Sequence, residues 1–231
     1  SMPGGPTQWK ELRNHAFLLT VEMGSPTFFI TITTNPHWPE IAAIDQFDYM
    51  NNSSLIMRVF RQRRMTFIDF ITKHATFGKI KGILWRDEFQ QRGLPHCHIL
   101  IWTDFDTEDI EAIDKVITCK LPKSCYEEDM NKVNDLATLV KEYEIHNHSE
   151  RCMKEHGRCS FNYPKPPRDK TEIVNNRHEF ARDAGDLESM IVPFNPELLS
   201  LMRCHMEIEP VLSRSCIGYV MKYATKNSDE G

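Results

Sequence analysis

The sequence lacks any apolar run long enough to cross a membrane. A membrane-spanning helix needs about 18 or more consecutive apolar residues, and no stretch of the 231 residues approaches that length. No signal-peptide pattern opens the chain either. We therefore expect no association with a membrane, and the sequence indicates no secretory context.

Basic residues are not in excess, and cysteines are few and unevenly spaced. The formal net charge is −5 at pH 7, whereas a general nucleic-acid coat protein is usually basic. This charge still permits a local basic groove on an acidic body. The 7 cysteines are an odd number, and without a secretory context they favour reduced thiols or a metal site over a disulfide framework.

Length and composition predict one soluble domain. The 40% hydrophobic and 26% charged residues are ordinary for a globular protein, and 231 residues can bury a substantial core. Ser1–Pro6 resembles an expression scar. We therefore predict a flexible N-terminus over residues 1–15 and a single domain over residues 16–231.

The spacing of apolar residues predicts an α+β fold around an antiparallel sheet. A β-branched and aromatic strand is predicted at Thr27–Thr34, with Phe28, Ile30 and Ile32 on one face and Thr31 and Thr33 on the other. Two further strands, Lys81–Gln90 and His96–Trp102, flank a glycine- and proline-containing hairpin turn. The other predicted elements are helices at Leu55–His74, Thr107–Thr118 (with Thr107 as N-cap), Asp129–Glu144, Leu198–Met202 and Ser213–Lys226, and a strand at Cys204–Pro210.

Two histidines, His96 and His98, lie two residues apart in one predicted strand. Their side chains therefore leave the same face, about 7 Å apart along the strand. Two imidazoles can bind one divalent ion if a neighbouring strand supplies a third ligand. An odd-length hairpin loop would place Gln90 opposite His96 and Glu88 opposite His98. The carboxylate of Glu88 is the better ligand for Mg²⁺ or Mn²⁺, and Gln90 remains an alternative. A purely structural explanation of the two histidines is that polar residues alternate along a half-exposed strand.

Two tyrosines, Tyr219 and Tyr223, lie four residues apart in the last predicted helix, on a face shared with Lys222 and Lys226. At 100° per residue they lie about 130° from the apolar stripe of that helix. Partly buried amphipathic tyrosines are the structural alternative. A phenol, with a pKa near 10, attacks a phosphate only when a metal or nearby cations lower the barrier.

A cysteine- and histidine-rich segment over residues 146–170 interrupts the regular pattern. His146, His148, Cys152 and Cys159 follow the spacing H-x-H-x₃-C-x₆-C. Two sulfurs and two nitrogens suit tetrahedral Zn²⁺, and His156 is a possible substitute ligand. Four protein ligands leave no open position, so we predict a structural zinc ion that holds an irregular insertion together.

Four segments together resemble the Rep nuclease domain of Helitron rolling-circle transposases. They are Phe28–Glu40, Arg58–Phe60, Glu88–Trp102 and Tyr219–Lys226, and they occur in the family's order. Cys97 occupies the variable middle position of the His-x-His (HUH) motif. The cysteine–histidine segment also resembles the family's, which ends in a Cys-x₃-[FY]-P-K stretch, here Cys159–Lys165.

The resemblance implies an HUH-type domain with a central antiparallel sheet of about five strands. It implies cleavage of single-stranded DNA through a 5′-phosphotyrosine intermediate with release of a 3′-hydroxyl. His96 and His98 would bind Mg²⁺ or Mn²⁺, and Tyr219 and Tyr223 would be the nucleophiles. Glu88 ranks before Gln90 as third ligand, because viral Rep relatives with a similar hairpin carry a carboxylate there.

The resemblance also implies partners and a location. Transposon ends and target DNA would bind as single strands, a helicase domain is expected in cis, and the protein would work in the nucleus. The helicase motif G-x-x-x-x-G-K-[ST] is absent, so we interpret the chain as a nuclease fragment.

An inactive single-stranded DNA-binding module and a zinc-stapled protein-interaction domain are the rival hypotheses. Candidate DNA contacts are Arg92, Lys222, Lys226, Arg61, Arg64 and Trp38.

Overall fold

The computed structural model describes residues 14, 18–44, 48–89, 94–122, 130–150, 152–153 and 157–212, with the backbone alone for 130–134. The chain divides into two compact units, residues 1–108 with 208–231 and residues 109–207. The predicted last helix, with Tyr219 and Tyr223, lies outside the described residues. The hairpin turn over residues 90–93 lies outside them as well.

The described residues form a mixed α/β structure. The helices are α1 (Pro39–Ala42), α2 (Ser53–His74), α3 (Ile110–Val116), α4 (Met130–Tyr143) and α5 (Pro196–Met202). The strands are β1 (Phe28–Thr33), β2 (Ile80–Phe89), β3 (Pro95–Thr103), β4 (Glu172–Val174), β5 (Arg177–Glu179) and β6 (Met206–Pro210). These bounds confirm the predicted strands and helices of the described region to within a few residues. Among the described helices, none has both the length and the apolar character that crossing a membrane requires.

The first unit is built on a four-stranded antiparallel sheet with the order β2-β3-β1-β6. A fifth strand, which the resemblance implied, is not present in this sheet among the described residues. Ile30 pairs with Ile99 and Ile32 pairs with Cys97, and all four side chains are fully buried. Paired residues share a face, so the apolar residues at every second position of both strands form one core layer. The predicted alternation of β1 is confirmed.

Helix α2 covers this apolar face. Phe60, Phe67 and Ile71 of the helix are fully buried, and their spacing places them on one side of it. Arg64 lies on the same side and forms a buried ion pair with Asp87 of β2. Asp87 pairs with Cys97 in the ladder, so the helix packs on the face opposite to that of His96 and His98.

The face that carries the histidines is apolar at its other end. Phe29, Leu100 and Trp102 form a buried cluster there with Val211, and Leu19, Met23 and Leu84 pack against it. The indole N–H of Trp102 donates to the carbonyl of Gly24 at 2.9 Å. The same sheet face therefore has a covered apolar half and a polar half with the histidines.

The second unit contains α3, α4, α5 and the β4–β5 hairpin. The predicted N-cap Thr107 is wrong: the side chain of Asp109 accepts from the amide of Ala112 and caps α3. The sequence analysis also missed the hairpin. Its two-residue turn, Asn175–Asn176, has positive φ at both positions (50° and 61°), as a type I′ turn requires.

The Arg64–Asp87 pair provides a stability test of the first unit. Asp87→Ala leaves the guanidinium of Arg64, whose side chain is 7% exposed, without its carboxylate partner, and the free energy of unfolding should fall by about 3 kcal/mol. All 4 tryptophans lie within residues 1–108. Urea denaturation followed by tryptophan fluorescence therefore measures this unit.

The matched control is Glu40→Ala, which breaks the more exposed pair of Glu40 with Arg63 (2.9 Å) and should cost less than about 1 kcal/mol. Arg64→Met combined with Asp87→Ala should recover most of the lost stability, because no buried charge remains. Equal losses for Asp87→Ala and Glu40→Ala would contradict a structural role for the buried pair.

Candidate metal sites

The ladder between β2 and β3 places three candidate ligands on one sheet face. Glu88 pairs with His96, and Arg86 pairs with His98. The predicted register, which set Glu88 opposite His98, is therefore wrong by two residues. The last pair before the turn is Phe89 with Pro95, whereas the prediction ended the ladder at Gln90 and His96. The face is unchanged, because a shift of two residues preserves it.

Glu88, His96 and His98 form a compact cluster. The Nε2 atoms of the two histidines are 3.1 Å apart. Oε2 of Glu88 lies 3.6 Å from Nε2 of His96 and 3.7 Å from Nε2 of His98. Ligands at neighbouring positions of an octahedral ion with bonds of about 2.1 Å lie about 3 Å apart. The donor set and spacing therefore fit one divalent ion, with Glu88 slightly farther out than the histidines. Gln90, the alternative third ligand, lies outside the described residues.

Neighbouring side chains hold this cluster in place. The hydroxyl of Thr31, opposite His98 in the ladder, lies 3.0 Å from Nδ1 of His98. When Nδ1 carries the proton, it donates to Thr31 and leaves the lone pair of Nε2 for a metal. The ring of Phe29 stacks on that of His98, with centroids 5.5 Å apart. Thr31 and Phe29 thus hold the ring of His98 in one orientation.

The electrostatic environment keeps Glu88 ionised. Its interaction with the imidazole of His98, 3.7 Å away, lowers the pKa of the carboxyl below its usual value, and the charges of His96 and Arg86 act in the same direction against desolvation. Arg86 is 5% exposed and lies on the same face, two residues before Glu88. Period-two alternation along β2 already implies this position, but the sequence analysis did not single out Arg86.

A second cluster lies in the second unit, where His146, His148, Cys152 and Cys159 bring their ligand atoms within 4.8 Å of one another. Sγ of Cys159 is 3.3 Å from Nε2 of His146, and Sγ of Cys152 is 3.7 Å from Nδ1 of His148. Zn–S bonds of about 2.3 Å and Zn–N bonds of about 2.0 Å around a tetrahedral centre imply ligand separations of about 3.3–3.8 Å. The group can therefore hold a metal ion with the geometry of a zinc site. The predicted substitute ligand, His156, lies outside the described residues.

Two effects favour the ligating forms of these residues. The amide of Ser149 donates to Sγ of Cys152 at 3.2 Å. This hydrogen bond, with smaller contributions from His148 and Cys159, lowers the pKa of the Cys152 thiol to about 7. Burial lowers the pKa of His146, whose ring also stacks on Tyr163 at 4.4 Å. A thiolate and a neutral imidazole are the forms that bind a metal.

The candidate DNA contacts differ in their accessibility. Arg61 is exposed on α2. Trp38 is 2% exposed, with the guanidinium of Arg63 5.1 Å from the centre of its ring, and Arg64 is buried in the pair with Asp87. These two expectations are therefore corrected, because neither side chain has a surface on which DNA can bind. Arg92, Lys222 and Lys226 lie outside the described residues.

Residues 1–101 match the family model described as the Helitron helicase-like domain at the N-terminus. The match includes Glu88, His96 and His98, and it confirms a Helitron helicase-like N-terminal domain over this part of the chain. A Helitron transposase-related function follows for the domain. No curated protein matches the chain.

Substitutions at the Glu88, His96 and His98 cluster should reduce Mn²⁺ affinity in a graded way. His98→Ala removes a ligand and should abolish binding measurable by isothermal titration calorimetry. Thr31→Val removes only the hydroxyl that orients His98, and it should weaken binding by about tenfold. Thr33→Val is the matched control, because the described contacts join Thr31, and not Thr33, to a histidine ring. Equal affinities for Thr31→Val and wild type would contradict the orienting role.

The second site predicts one tightly bound zinc ion per chain. Cys159→Ser should lose that zinc in elemental analysis of the purified protein, because a hydroxyl does not replace a thiolate ligand. Cys119→Ala is the control: Cys119 is buried in the same unit but outside the cluster, so the zinc content should stay at one. A purified wild-type protein that contains no zinc in the same analysis would exclude a structural zinc site.

Proposed function

We propose that this chain is an HUH-type endonuclease and strand transferase that acts on single-stranded DNA for a Helitron transposase. The observation that carries the proposal is the cluster of Glu88, His96 and His98, which lies on one sheet face within the residues that match the Helitron family model. A carboxylate with two imidazoles suits Mg²⁺ or Mn²⁺. Three protein ligands would leave coordination positions open for a phosphate.

In this proposal the residues of the cluster position the metal ion that acts on the phosphate. A bound Mg²⁺ or Mn²⁺ would polarise the scissile phosphodiester. Glu88, His96 and His98 would fix the position of that ion, and Thr31 and Phe29 keep the ring of His98 in its ligating orientation. The histidine side chains are 11% and 12% exposed, so the site is recessed. Recessed surroundings strengthen the electrostatic interactions made there.

Tyr219 and Tyr223 are the proposed nucleophiles. The phenolic oxygen of one tyrosine loses its proton and attacks the phosphorus atom, and the P–O3′ bond breaks. The products are a 5′-phosphotyrosine bond and a DNA end whose 3′-oxygen takes up a proton. A second tyrosine on the same face of the helix predicted from the sequence would allow a second transfer while the first strand is still attached.

The remaining parts have supporting roles in this proposal. His146, His148, Cys152 and Cys159 would hold a structural Zn²⁺ in the second unit. Arg61, with Arg92, Lys222 and Lys226, would contact the DNA backbone, whose charge dominates affinity. Transposon ends and target DNA would be the substrates, and a helicase in cis would supply the single strands. The expected location is the nucleus.

Detection of a covalent adduct tests the proposed function. Wild-type protein is incubated with a labelled single-stranded oligonucleotide and Mn²⁺, and the products are separated on a denaturing gel. We expect a protein–DNA band that EDTA abolishes. The double variant Tyr219→Phe, Tyr223→Phe should still bind the oligonucleotide but form no adduct, because its rings lack the attacking oxygen.

The control is Tyr143→Phe, a tyrosine at the end of α4 in the second unit, which should leave the adduct unchanged. Binding of the oligonucleotide by the wild type without any adduct would identify an inactive DNA-binding module. Absence of binding would favour a protein-interaction domain. Either result would overturn the proposal.

A further inference from the structure

Two aromatic side chains on the outer strand of the first unit are open to solvent. The sheet order β2-β3-β1-β6 places β2 at the edge of the sheet among the described residues. Trp85 is 39% exposed and Phe89 is 48% exposed. Trp85 pairs with Ile99 of the buried core layer, and every second residue of a strand shares a face. Trp85, Asp87 and Phe89 therefore lie on the face against which α2 packs, where the two rings remain partly uncovered.

The ion pair of α2 with β2 fixes the indole of Trp85. The guanidinium of Arg64 lies over that ring, 5.2 Å from its centre, and Asp87 holds Arg64 with two hydrogen bonds. A ring that is already held in place loses little conformational freedom when a ligand binds. The same ion pair offsets the negative charge of Asp87, which lies between the two rings in the sequence.

Helix α2 adds positive charge beside these rings. The whole chain has a net charge of −5, but α2 has 4 arginines between positions 58 and 64, and Asp69 is its single carboxylate. Arg63 faces α1 through its ion pair. Arg61 precedes it by two residues, about 200° around the helix, so it lies on the flank toward β2, one turn from Arg64. Because Arg61 is exposed, it places a cation at the border of the aromatic surface.

Aromatic faces next to cations match the two chemical parts of a nucleic-acid strand. Bases stack on aromatic rings, and phosphates bind to arginine. Trp85 and Phe89 lie four residues apart, about 13 Å along the strand. This exceeds the rise of about 3.4 Å per nucleotide in a duplex, so each ring can accept a separate base. Bases within a duplex already stack on one another, so the surface suits a single strand.

The aromatic surface is continuous with the candidate metal site. Phe89 directly follows Glu88 in β2 and pairs with Pro95, the residue before His96. Among the described residues, no strand lies beyond β2 in the sheet. A DNA strand with a phosphate at the metal cluster can therefore pass around the edge of β2 and reach the rings on the opposite face.

We propose that Trp85 and Phe89 stack on bases of the single-stranded DNA next to the scissile phosphate, while Arg61 binds its backbone. These three residues form the β2 aromatic surface. The inference rests on the proposed function, because it concerns the same DNA strand. Every base has an aromatic face, so this surface holds the strand without selecting a sequence.

Affinity for single-stranded oligonucleotides tests the two rings. All variants are made in a reference protein that carries Tyr219→Phe and Tyr223→Phe, so that no adduct forms. Trp85→Leu and Phe89→Leu keep an apolar side chain and remove the ring. Each should weaken binding, measured by fluorescence anisotropy with Mn²⁺, by about tenfold. An abasic oligonucleotide of the same length has phosphates but no bases, and the reference and both variants should bind it equally.

Two further variants separate stacking from charge and from general effects. Arg61→Met should weaken binding of both oligonucleotides and lower the slope of log affinity against log salt concentration by about one, whereas Trp85→Leu should leave that slope unchanged. Ile173→Ala is the control, because Ile173 is an apolar strand residue of the second unit with a similar exposure of 41%. It should match the reference with both oligonucleotides.

Mn²⁺ affinity and thermal unfolding check the ring variants. Both should bind Mn²⁺ as the reference does in isothermal titration calorimetry, because the rings lie on the face opposite to the ligands. Weaker Mn²⁺ binding by Phe89→Leu would show that the ring acts through Glu88, and it would overturn a stacking role. If Trp85→Leu does not fold, Phe89→Leu carries the test alone.

Three other results would overturn the inference. The first is an unchanged affinity of both ring variants for the oligonucleotide with bases. The second is an equal loss of affinity for the intact and the abasic oligonucleotide. The third is a change from dimer to monomer in light scattering with unchanged DNA affinity, which would identify an interface between two copies of the chain. Failure of the proposed function gives a different result, because the wild type would then form no adduct, whatever the ring variants bind.

Discussion

The pairing of β2 with β3 is the constraint on which the candidate site depends. Side chains alternate between the two faces of a strand, so one ladder sorts the residues of β2 into two sets. Asp87 faces α2 and joins the core through Arg64, whereas Arg86 and Glu88 face the histidines. Asp87, which stabilises the core, and Glu88, a candidate metal ligand, are thus adjacent in the sequence but lie on opposite faces of the sheet. The buried ion pair of Asp87 with Arg64 lies on the side of the strand opposite to Glu88.

The face of each candidate ligand could be predicted from the sequence, but the register could not. A period of two assigns Glu88, His96 and His98 to one side, whatever the length of the turn. Which residue lies opposite which depends on where the ladder closes, here at Phe89 and Pro95. That point is set by the geometry of the turn, which the pattern of apolar residues does not encode.

Burial of charged residues was harder to predict than burial of apolar ones. The spacing of α2 shows its apolar side, but it does not show that Arg64 lies within that side and finds Asp87 as a partner. Trp38 follows the first predicted strand and was expected to be accessible to DNA, yet it is buried and packs against Phe60. The β4–β5 hairpin was missed because each strand has only 3 residues and the adjacent Ile173 and Val174 do not alternate with polar residues.

The hydrogen bond between Thr107 and Val211 has a consequence for how the chain is assembled. The first unit breaks off at Glu108 and resumes at Ile208, and the hydroxyl of Thr107 donates to the carbonyl of Val211 at 3.0 Å. The chain therefore leaves and re-enters the first unit at adjacent points. Such closely spaced ends are the arrangement of a domain inserted into a host fold. A change of length within residues 109–207 would accordingly leave the two ends of the first unit beside each other and the β2-β3-β1 ladder in place.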